Sequence, residues 1–371
     1  MTSNTRIVLA KWPETVPVPG EHLVLDNSRT IDIENVPLNG GFLTKLLLIS
    51  PEPYMLSRMR DPALRSFASP MVLGAPVVGM CLVKVLRSEK EGVNAGDYMY
   101  GMTHWELYTV QPYMEGRCMQ RELWTPETFD LDSLVLQPVP DPKGAFPFSR
   151  YSSLMGIPGL AGYSSFMSLI APRLNTDGQK TVFVSSGAGG VGTVIIQLAK
   201  KKGLKVIASA GSDQKVAYCK KIGADYAFNY ETESYREALE KEGPIDFYYD
   251  NVGGIALEEA INACKLNAYI VVCGHITGYG KPVEERHGIK NTHLLFERRI
   301  TIQGFLVPDL LSPTMMQQFF QDVPGWTAQG LLQSEEKLID GFENAPQALV
   351  EAVWGGSDYS VSKLVVVVAK D

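Results

Sequence analysis

Two patterns of hydrophobic and polar positions divide the chain. Up to about residue 150, short aliphatic segments alternate with proline and glycine, as in Leu43–Ile49, Val77–Leu86 and Tyr108–Val110. This punctuation favours a compact, mostly β domain over helices. The residues Val93–Asp97 fit a turn between two strands. The stretch Pro138–Pro142 is the predicted boundary, because proline is excluded from helix interiors and central strands.

From residue 180 the pattern becomes a regular alternation of strands and helices. Apolar residues at helical spacing define one face of the first helix, which the cationic turn Lys200–Lys202 and Gly203 close. Ser234 and Glu237 form a predicted capping box at the start of a later helix. The predicted strands are Thr181–Ser185, Lys205–Ser209, Asp225–Phe228, Ile245–Tyr249, Tyr269–Cys273 and Ile300–Phe305. Such a series predicts a parallel, doubly wound sheet in an α/β protein.

The last part of the chain is predicted to leave this sheet. A helical stretch at Pro313–Gln321 is followed, near the end, by the strand-like segment Leu364–Val368, which we expect to return to the first domain. The predicted domains are therefore residues 1–150 together with 311–371, and residues 151–310.

Composition and charge exclude several classes of protein. The 371 residues carry a net charge of −7 and contain no basic run, which argues against nucleic-acid binding. The five cysteines are widely spaced and form no Cys-x-x-Cys pair, which indicates reduced thiols and no structural zinc ribbon. Met1–Trp12 lacks the apolar core of a signal peptide, and the aliphatic run Val365–Val368 is far shorter than the ~20 residues of a membrane span. We expect a cytoplasmic protein without membrane contact.

A glycine-rich segment marks the first junction of strand and helix in this series. Gly187–Gly192 has the GxGxxG spacing, follows a strand directly and opens a helix. Glycines there let the backbone approach a pyrophosphate at the positive helix N-terminus. A glycine-rich tight turn is the alternative, but the position favours a dinucleotide site.

The end of the second predicted strand indicates which dinucleotide is bound. NAD sites usually place a carboxylate about 20 residues after the fingerprint to bind the ribose 2′-hydroxyl. Here Ala208–Ser212 contains no carboxylate, and Asp213 is expected to face a helix N-terminus. Lys215 would attract a 2′-phosphate, so we predict NADP with Lys215 as a phosphate contact. A solvated lysine on a helix surface is the alternative.

Several ordered motifs resemble one family over nearly the whole chain. The chain is similar to the zinc-independent medium-chain dehydrogenases/reductases, specifically the leukotriene B4 12-hydroxydehydrogenase, prostaglandin reductase and alkenal double-bond reductase group. The matching segments are Ile49–Met59 ("LSVDPYMRGRM" in the group), Trp105–Tyr108 ("WEEY"), Gly156–Tyr163 ("GMPGLTAY"), Asp250–Gly254 ("DNVGG") and Gly304–Val307 ("GFLV"). The resemblance implies a Rossmann dinucleotide domain, a GroES-like catalytic domain and a homodimer.

The resemblance also implies individual cofactor contacts. The pyrophosphate would meet Gly189, Gly190, Val191 and Gly192, and the 2′-phosphate would meet Lys215 and Tyr230. The nicotinamide half would be lined by Asn251, Cys273, Gly274, Thr277, Tyr279, Phe305, Leu306 and Val307. Ser360 stands where the group often has asparagine and reaches less far. Leu56 and Ser57 replace the group's Arg and Gly, so substrate entry is expected to differ.

A catalytic zinc is not expected. The zinc-dependent relatives use a cysteine and a histidine on early strands, but this chain has Gly74–Pro76 in place of Gly-His-Glu and no cysteine near Ser50. The five histidines show no ligand spacing. Without a Lewis acid, interconversion of alcohol and ketone is disfavoured.

Reduction of a double bond conjugated to a carbonyl needs less from the protein. Hydride adds to the β-carbon, negative charge develops on the carbonyl oxygen, and a hydrogen-bond donor stabilises that enolate before the α-carbon is protonated. Tyr279 follows the fifth strand of the series and is the predicted donor, directly or through the ribose 2′-hydroxyl. The alternative is that Tyr279 only packs against the cofactor. Cys273 has no cationic neighbour in the sequence, so we expect it to pack there as an unreactive thiol.

The predicted substrate contacts come from the first domain and from Phe305. Tyr54, on a proline-flanked loop, could orient the carbonyl or be a buried structural tyrosine. Met102 and Trp105 would be pocket walls by the family match, although core packing is the open alternative. The predicted substrate is a small unsaturated carbonyl compound.

The favoured function is an NADPH-dependent ene-reductase. The alternatives are an NADPH:quinone oxidoreductase of the same superfamily, a nucleotide-binding protein without turnover, and oxidation of an allylic alcohol with NADP.

Overall fold

The computed structural model describes residues 1–64, 66–112, 136–174, 178–355 and 363–370. The chain forms two compact units. The first unit comprises residues 1–152, 338–355 and 364–371, and the second comprises residues 153–337 and 356–363.

The described residues contain mixed strands and helices, numbered here in chain order. The strands are β1 Thr2–Ser3, β2 Arg6–Leu9, β3 Leu23–Asp26, β4 Thr30–Ile31, β5 Phe42–Ser50, β6 Val78–Ser88, β7 Tyr98–His104, β8 Tyr108–Gln111, β9 Gln137–Val139, β10 Thr181–Val184, β11 Lys205–Ala210, β12 Tyr226–Asn229, β13 Ile245–Asp250, β14 Cys264–Val272, β15 Thr301–Gly304, β16 Glu336–Asp340 and β17 Lys363–Val367. The α-helices are α1 Ile157–Ser165, α2 Gly190–Lys201, α3 Asp213–Lys221, α4 Tyr235–Glu242, α5 Gly254–Ala263, α6 His293–Glu297, α7 Pro313–Ala328 and α8 Ala345–Trp354. Short helical turns lie at Pro53–Arg58, Phe148–Ser152, Phe166–Ile170, Ala171–Arg173, Ile276–Gly278, Val283–Glu285, Val307–Leu310 and Phe342–Asn344.

The first unit is built around a seven-stranded sheet. Its strand order is β16-β17-β5-β6-β7-β9, with β8 paired to β5. Strands β5, β6 and β7 pair antiparallel. The turn predicted at Val93–Asp97 lies between β6 and β7, as expected for neighbouring antiparallel strands. The C-terminal strand β17 pairs antiparallel with β5, which confirms that the end of the chain returns to this sheet.

One hydrophobic core stabilises the first unit. It combines inward-facing strand residues with one face of α8, where Ala345, Ala348 and Leu349 follow helical spacing. Met55 and Trp105 are fully buried in the same cluster. The helical turn Pro53–Arg58, which carries Tyr54, is therefore anchored to the core by its neighbours in sequence.

The second unit contains the predicted parallel sheet. Six strands follow the order β12-β11-β10-β13-β14-β15, and each neighbouring pair is parallel. This is the strand order of a doubly wound dinucleotide-binding sheet. The chain direction across the sheet reverses at β10, the first strand of this unit. The α/β class with a Rossmann sheet and a separate, mostly β domain is confirmed.

Local signals in the sequence explain where the helices of this unit begin and end. The Ser234 hydroxyl oxygen accepts a hydrogen bond from the backbone N–H of Glu237, and the backbone N–H of Ser234 donates to the Glu237 carboxylate. The predicted capping box is therefore present. Helix α2 begins at Gly190 and buries Val194, Ile195, Leu198 and Ala199 along one face, as the spacing predicts.

Three features differ from the expectations. Helix α7 extends past the predicted Gln321 to Ala328 with Pro324 inside it. It lies in the second unit, as do all of residues 311–337, although the sequence had assigned 311–371 to the first domain. Pro138 lies in β9, at the end of its sheet, where a missing N–H is tolerated, and the change of unit comes at residue 152.

Candidate cofactor and active site

The loop between β10 and α2 allows an unusually close approach of backbone to backbone. A Cβ on Gly192 would lie 2.3 Å from the carbonyl oxygen of Ser186 and 2.8 Å from Cα of Gly187. The first turn of α2 therefore packs directly on the loop, and only glycine fits there. Gly189 caps α2 without a side-chain hydrogen bond, and the first turn has no acidic residue. The positive end of the helix dipole is thus left uncompensated by side chains, as an anion site requires.

Gly211 and Tyr230 come together where β11 and β12 end, and Lys215 lies in the first turn of α3, which begins two residues after Gly211. The two strands pair in parallel up to Ala210 and Asn229, so Gly211 and Tyr230 are the next residues of each chain segment. A Cβ on Gly211 would lie 2.5 Å from the Tyr230 hydroxyl, so the tyrosine ring covers this glycine. The adjacent Ser212 caps α3 and accepts a hydrogen bond from the backbone N–H of Lys215 at 3.3 Å.

The charges at this corner fit a phosphate. Lys215 is half-buried, and burial lowers the pKa of its ammonium group. Asp213, the nearby carboxylate, lies in the first turn of α3 and accepts a hydrogen bond from the amide of Asn229 at 2.9 Å. The Asp213 carboxylate therefore already has a hydrogen-bond partner within the protein, the Asn229 amide.

A second group of residues follows the strands on the other side of β10. Asp250, Val272 and Gly304 occupy matched positions at the ends of β13, β14 and β15. Asn251, Cys273 and Phe305 are the residues that come next, so they lie at one edge of the sheet. The carboxyl edge is where doubly wound sheets bind their ligands.

Hydrogen bonds to Ser185 hold Asn251 in this position. Its side-chain amide donates to the Ser185 carbonyl at 2.8 Å, and its backbone N–H donates to the Ser185 hydroxyl at 3.0 Å. Asp250 is fully buried and accepts hydrogen bonds at Oδ1 from the backbone N–H groups of Val252 (2.9 Å) and Gly253 (2.8 Å). The Tyr248 hydroxyl donates to the same oxygen at 2.7 Å. Burial raises the pKa of Asp250.

The segment from Cys273 to Tyr279 is tied to the Asp250–Gly254 turn. Cys273 and Gly274 donate their backbone N–H groups to the Asp250 carbonyl at 2.8 and 3.1 Å. The Thr277 hydroxyl donates to the Val252 carbonyl at 2.7 Å. These hydrogen bonds bring Cys273, Gly274 and Thr277 next to the turn that carries Asn251, and their contact with a nicotinamide stays a prediction.

Burial explains the protonation states of Cys273 and Tyr279. It raises the pKa of the Cys273 thiol to about 11, which fits the expected unreactive thiol. It also raises the pKa of Tyr279 above its ordinary value. The Tyr279 hydroxyl therefore keeps its proton and can donate a hydrogen bond at neutral pH.

Phe305, Leu306 and Val307 leave the sheet edge together. All three are half-buried, and the Leu306 N–H donates to the Asp309 carboxylate at 3.1 Å. The helical turn Val307–Leu310 then fixes the direction of the chain.

The predicted substrate residues Tyr54, Met102 and Trp105 all belong to the first unit. Met102 and Trp105 are fully buried, which favours the core-packing alternative for their side chains. Tyr54 is half-buried, and its hydroxyl donates to the Met102 sulfur at 3.4 Å. A substrate role for these residues stays a prediction, and Ser360 lies outside the described residues.

The sequence assigns no individual role to three residues of the site. Ser185, at the end of a predicted strand, and Asp250, in the segment that resembles "DNVGG", shape the turn that carries Asn251. The third is His275, whose ring lies between Gly253 and Gly278. No sequence signal marks this packing, since it depends on two separate backbone segments.

The described residues contain neither a cluster of metal-binding side chains nor a membrane-spanning helix. No group of three or more His, Cys, Asp or Glu side chains is placed to hold a metal ion in that part of the chain. No helix described there combines the length and apolar character needed to cross a membrane.

Two family models match the chain. One described as "Zinc-binding dehydrogenase" matches residues 190–323, and one described as "N-terminal domain of oxidoreductase" matches residues 5–120. Together these cover both halves of the architecture described above.

Relatives of named activity align over most of the chain. A 2-alkenal reductase (NADP(+)-dependent) of Nicotiana tabacum is 32% identical, covering 100% of this chain and 98% of the relative. A (+)-pulegone reductase of Mentha piperita is 33% identical, covering 84% of each chain. Among solved structures, CurA of Vibrio vulnificus in complex with NADPH is 25% identical with a TM-score of 0.79, covering 99% of this chain and 100% of that one.

Proposed function

Because the chain belongs to the zinc-independent medium-chain dehydrogenase/reductase family, in its leukotriene B4 12-hydroxydehydrogenase, prostaglandin reductase and alkenal double-bond reductase group, we propose that it is an NADPH-dependent ene-reductase. It reduces the carbon–carbon double bond of α,β-unsaturated aldehydes and ketones. The observation that carries this conclusion is the similarity, over 100% and 84% of the chain, to reductases of an enal and an enone.

The residues of the second unit fit NADPH. The glycine loop supplies a cradle that a Cβ at Gly192 would fill. Gly189, Gly190, Val191 and Gly192 would hold the pyrophosphate there. Lys215 and Tyr230 would hold the 2′-phosphate. The segment Ala208–Ser212 at the end of β11 contains no carboxylate, and Asp213 accepts a hydrogen bond from Asn229, which favours NADP over NAD.

The nicotinamide half would rest on the second group of residues. When bound, NADPH supplies the hydride that adds to the β-carbon of the substrate. Asn251, Cys273, Gly274, Thr277, Tyr279, Phe305, Leu306 and Val307 are proposed to line this half. Ser360 is proposed as a further contact on the strength of the resemblance alone.

Tyr279 is proposed as the donor to the carbonyl oxygen. As hydride adds, negative charge moves to that oxygen, and a protonated hydroxyl aimed at it stabilises the enolate. Burial raises the pKa of Tyr279, so the hydroxyl keeps its proton while it donates. A proton then reaches the α-carbon, which gives the saturated carbonyl compound and NADP⁺ from the enone, NADPH and one proton. Tyr54 is the proposed second contact, orienting the carbonyl.

We propose that the protein is a cytoplasmic homodimer. The edge strand β15 ends its sheet, and all four of its residues are exposed, including the apolar Ile302. An exposed edge of unpaired backbone groups favours pairing with a second copy, which supports a homodimer. Cys81, Cys219, Cys264 and Cys273 are free thiols, which supports a cytoplasmic location.

The test of the proposed function is turnover with three acceptors. NADPH oxidation is followed by its absorbance with an α,β-unsaturated ketone, the matching saturated ketone and a quinone, and the product is identified by mass. The enone should gain two hydrogens on carbon, while the saturated ketone should not react. Oxidation of NADPH by the quinone alone would overturn the proposal in favour of a quinone reductase.

The role of Tyr279 is tested separately by Tyr279→Phe. Loss of one such donor is expected to lower kcat by ~10²-fold. Tyr226→Phe is the matched control, because it removes a hydroxyl that donates to the Glu233 carboxylate, and Tyr226 lies in β12, on the other side of β10 from the strands that precede Asn251, Cys273 and Phe305. Unchanged kcat in Tyr279→Phe would leave this residue with a packing role.

A further inference from the structure

The imidazole of His275 fills a narrow space between two glycines. A Cβ on Gly253 would lie 2.2 Å from Nδ1 of His275, and a Cβ on Gly278 would lie 2.1 Å from both Cδ2 and Nε2. The two edges of the ring therefore lie against two backbone stretches. A side chain at either glycine would require the ring or the backbone to move.

These two segments are the ones that form the proposed nicotinamide site. Gly253 belongs to the turn that follows β13 and begins α5, and Gly278 immediately precedes Tyr279. The segments around them are rich in glycine, at positions 253, 254, 274, 278 and 280. Glycine has the least restricted backbone, so its own preferences do not fix the position of Tyr279. Hydrogen bonds from Cys273, Gly274 and Thr277 tie the second segment to the first, and the His275 ring adds a rigid contact beside Gly278, the residue before Tyr279.

The charged surroundings suit a neutral ring. Burial lowers the pKa of His275, as does the neighbouring Arg286, while the Asp250 carboxylate opposes them. The imidazole therefore occupies the space between the glycines uncharged at neutral pH, as a packing group.

We propose that His275 is a positioning residue for the reaction. Its ring holds Asp250–Gly254 and Cys273–Tyr279 at a set separation, and it thereby places the Tyr279 hydroxyl and the nicotinamide half of the cofactor. This inference rests on the proposed function, because the importance of Tyr279 does. Gly253, His275 and Gly278 therefore depend on one another: removing the His275 ring should offset the loss of activity caused by a side chain at either glycine.

The test is a double-mutant cycle between Gly278 and His275. Gly278 is the cleaner of the two glycines, because Gly253 has a φ of +70° and alanine there would add backbone strain. Gly278→Ala forces the ring or the segment to move, and a misplacement of about 1 Å is expected to lower kcat by ~10²-fold. His275→Ala leaves a gap and is expected to lower kcat by ~10-fold. The double variant should match His275→Ala, since the new Cβ then has room.

Cofactor binding supplies a readout that does not depend on the substrate. The dissociation constant of NADPH is measured for each variant alongside that of adenosine 2′,5′-bisphosphate, which lacks the nicotinamide. Gly278→Ala should weaken binding of NADPH, the double variant should recover it, and the bisphosphate should bind all variants equally. If the wild-type protein fails to reduce enones, this cycle still decides the positioning role.

The control is Gly288→Ala, because a Cβ at this exposed position meets nothing within 4 Å. Its kcat and NADPH affinity should equal those of the wild type. Additive losses in the double variant would overturn the proposal, as would wild-type kcat and affinity in Gly278→Ala. If Gly278→Ala does not fold, His275→Ala and His275→Asn decide: the planar amide should restore part of the loss seen with alanine, and equal values for both variants would contradict positioning by the ring.

Discussion

Replacing Lys215 with alanine should weaken NADPH far more than NADH. The substitution leaves the local backbone intact, because Ser212 caps α3 by accepting a hydrogen bond from the backbone N–H of residue 215 and not from its side chain. What the variant loses is a half-buried ammonium group in the first turn of α3, the helix that follows Gly211 and Ser212. NADH carries a 2′-hydroxyl in place of the phosphate, so it has little to lose there.

The burial of Lys215 determines the size of the effect. A fully exposed ion pair is worth about 0.2–1 kcal/mol, which would change affinity by less than ~6-fold. Lys215 is half-buried, and burial lowers its pKa, so the ammonium group is already partly stripped of water. A hydrogen bond to a charged group in such a setting contributes about 1.5–3 kcal/mol. At about 1.4 kcal/mol per factor of ten, the dissociation constant of NADPH should rise by ~10- to 150-fold.

The assay measures dissociation constants and KM for both cofactors in the wild type, in Lys215→Ala and in Lys220→Ala. Lys220 is an exposed lysine in the last turn of the same helix. Lys220→Ala therefore changes the net charge by the same amount as Lys215→Ala but leaves the corner near Gly211 unchanged. Only Lys215→Ala should lose NADPH selectivity, and raising the salt concentration should reduce the difference. Equal weakening of NADPH and NADH, or no weakening of either, would refute the assignment of this corner to the 2′-phosphate.

Three further predictions follow from the same edge of the sheet and from β15. Gly192→Ala should weaken NADPH binding and lower the free energy of unfolding by about 1–3 kcal/mol in a denaturant titration, because its Cβ would lie 2.3 Å from the Ser186 carbonyl oxygen. Since burial raises the pKa of Tyr279 above about 10, its donor form persists below that pKa and kcat should stay level with rising pH until then. An alkaline decline of kcat well below pH ~10 that vanishes in Tyr279→Phe would contradict this protonation state. Ile302→Lys should halve the mass measured by light scattering, because it places like charges at the proposed dimer edge, and an unchanged mass would exclude β15 from the interface.

The second unit could be predicted closely because its signals are local. The apolar residues of α2 follow helical spacing. The pair Ser234 and Glu237 indicates the start of α4. Parallel pairing then follows from the alternation of strands and helices. The extension of α7 through Pro324 was not predictable in this way, since proline ordinarily ends a helix and only packing can compensate for the lost hydrogen bond.

Side chains of the first unit were harder to interpret from the sequence. Apolar residues that line a pocket and apolar residues that fill a core have the same composition, so Met102 and Trp105 fitted both descriptions. Their complete burial favours the core. A core residue can still affect the proposed substrate site. The buried Met102 sulfur accepts a hydrogen bond from the more accessible Tyr54 and so orients its hydroxyl.

The order of strands explains why the two halves of the proposed site leave different signals in the sequence. Residues after β11 and β12 form the corner with Lys215, and residues after β13, β14 and β15 form the edge with Asn251 and Tyr279, on opposite sides of β10. The first corner depends on charge and on one covered glycine, and both are visible as residue types in the sequence. The second depends on packing between segments, and His275 is its clearest case. No sequence motif marks this histidine, and its position becomes evident only in the fold, where Gly253 and Gly278 lie against the two edges of its ring. Residue type alone identifies groups that act through charge, whereas groups that act through shape become identifiable only once their neighbours are known.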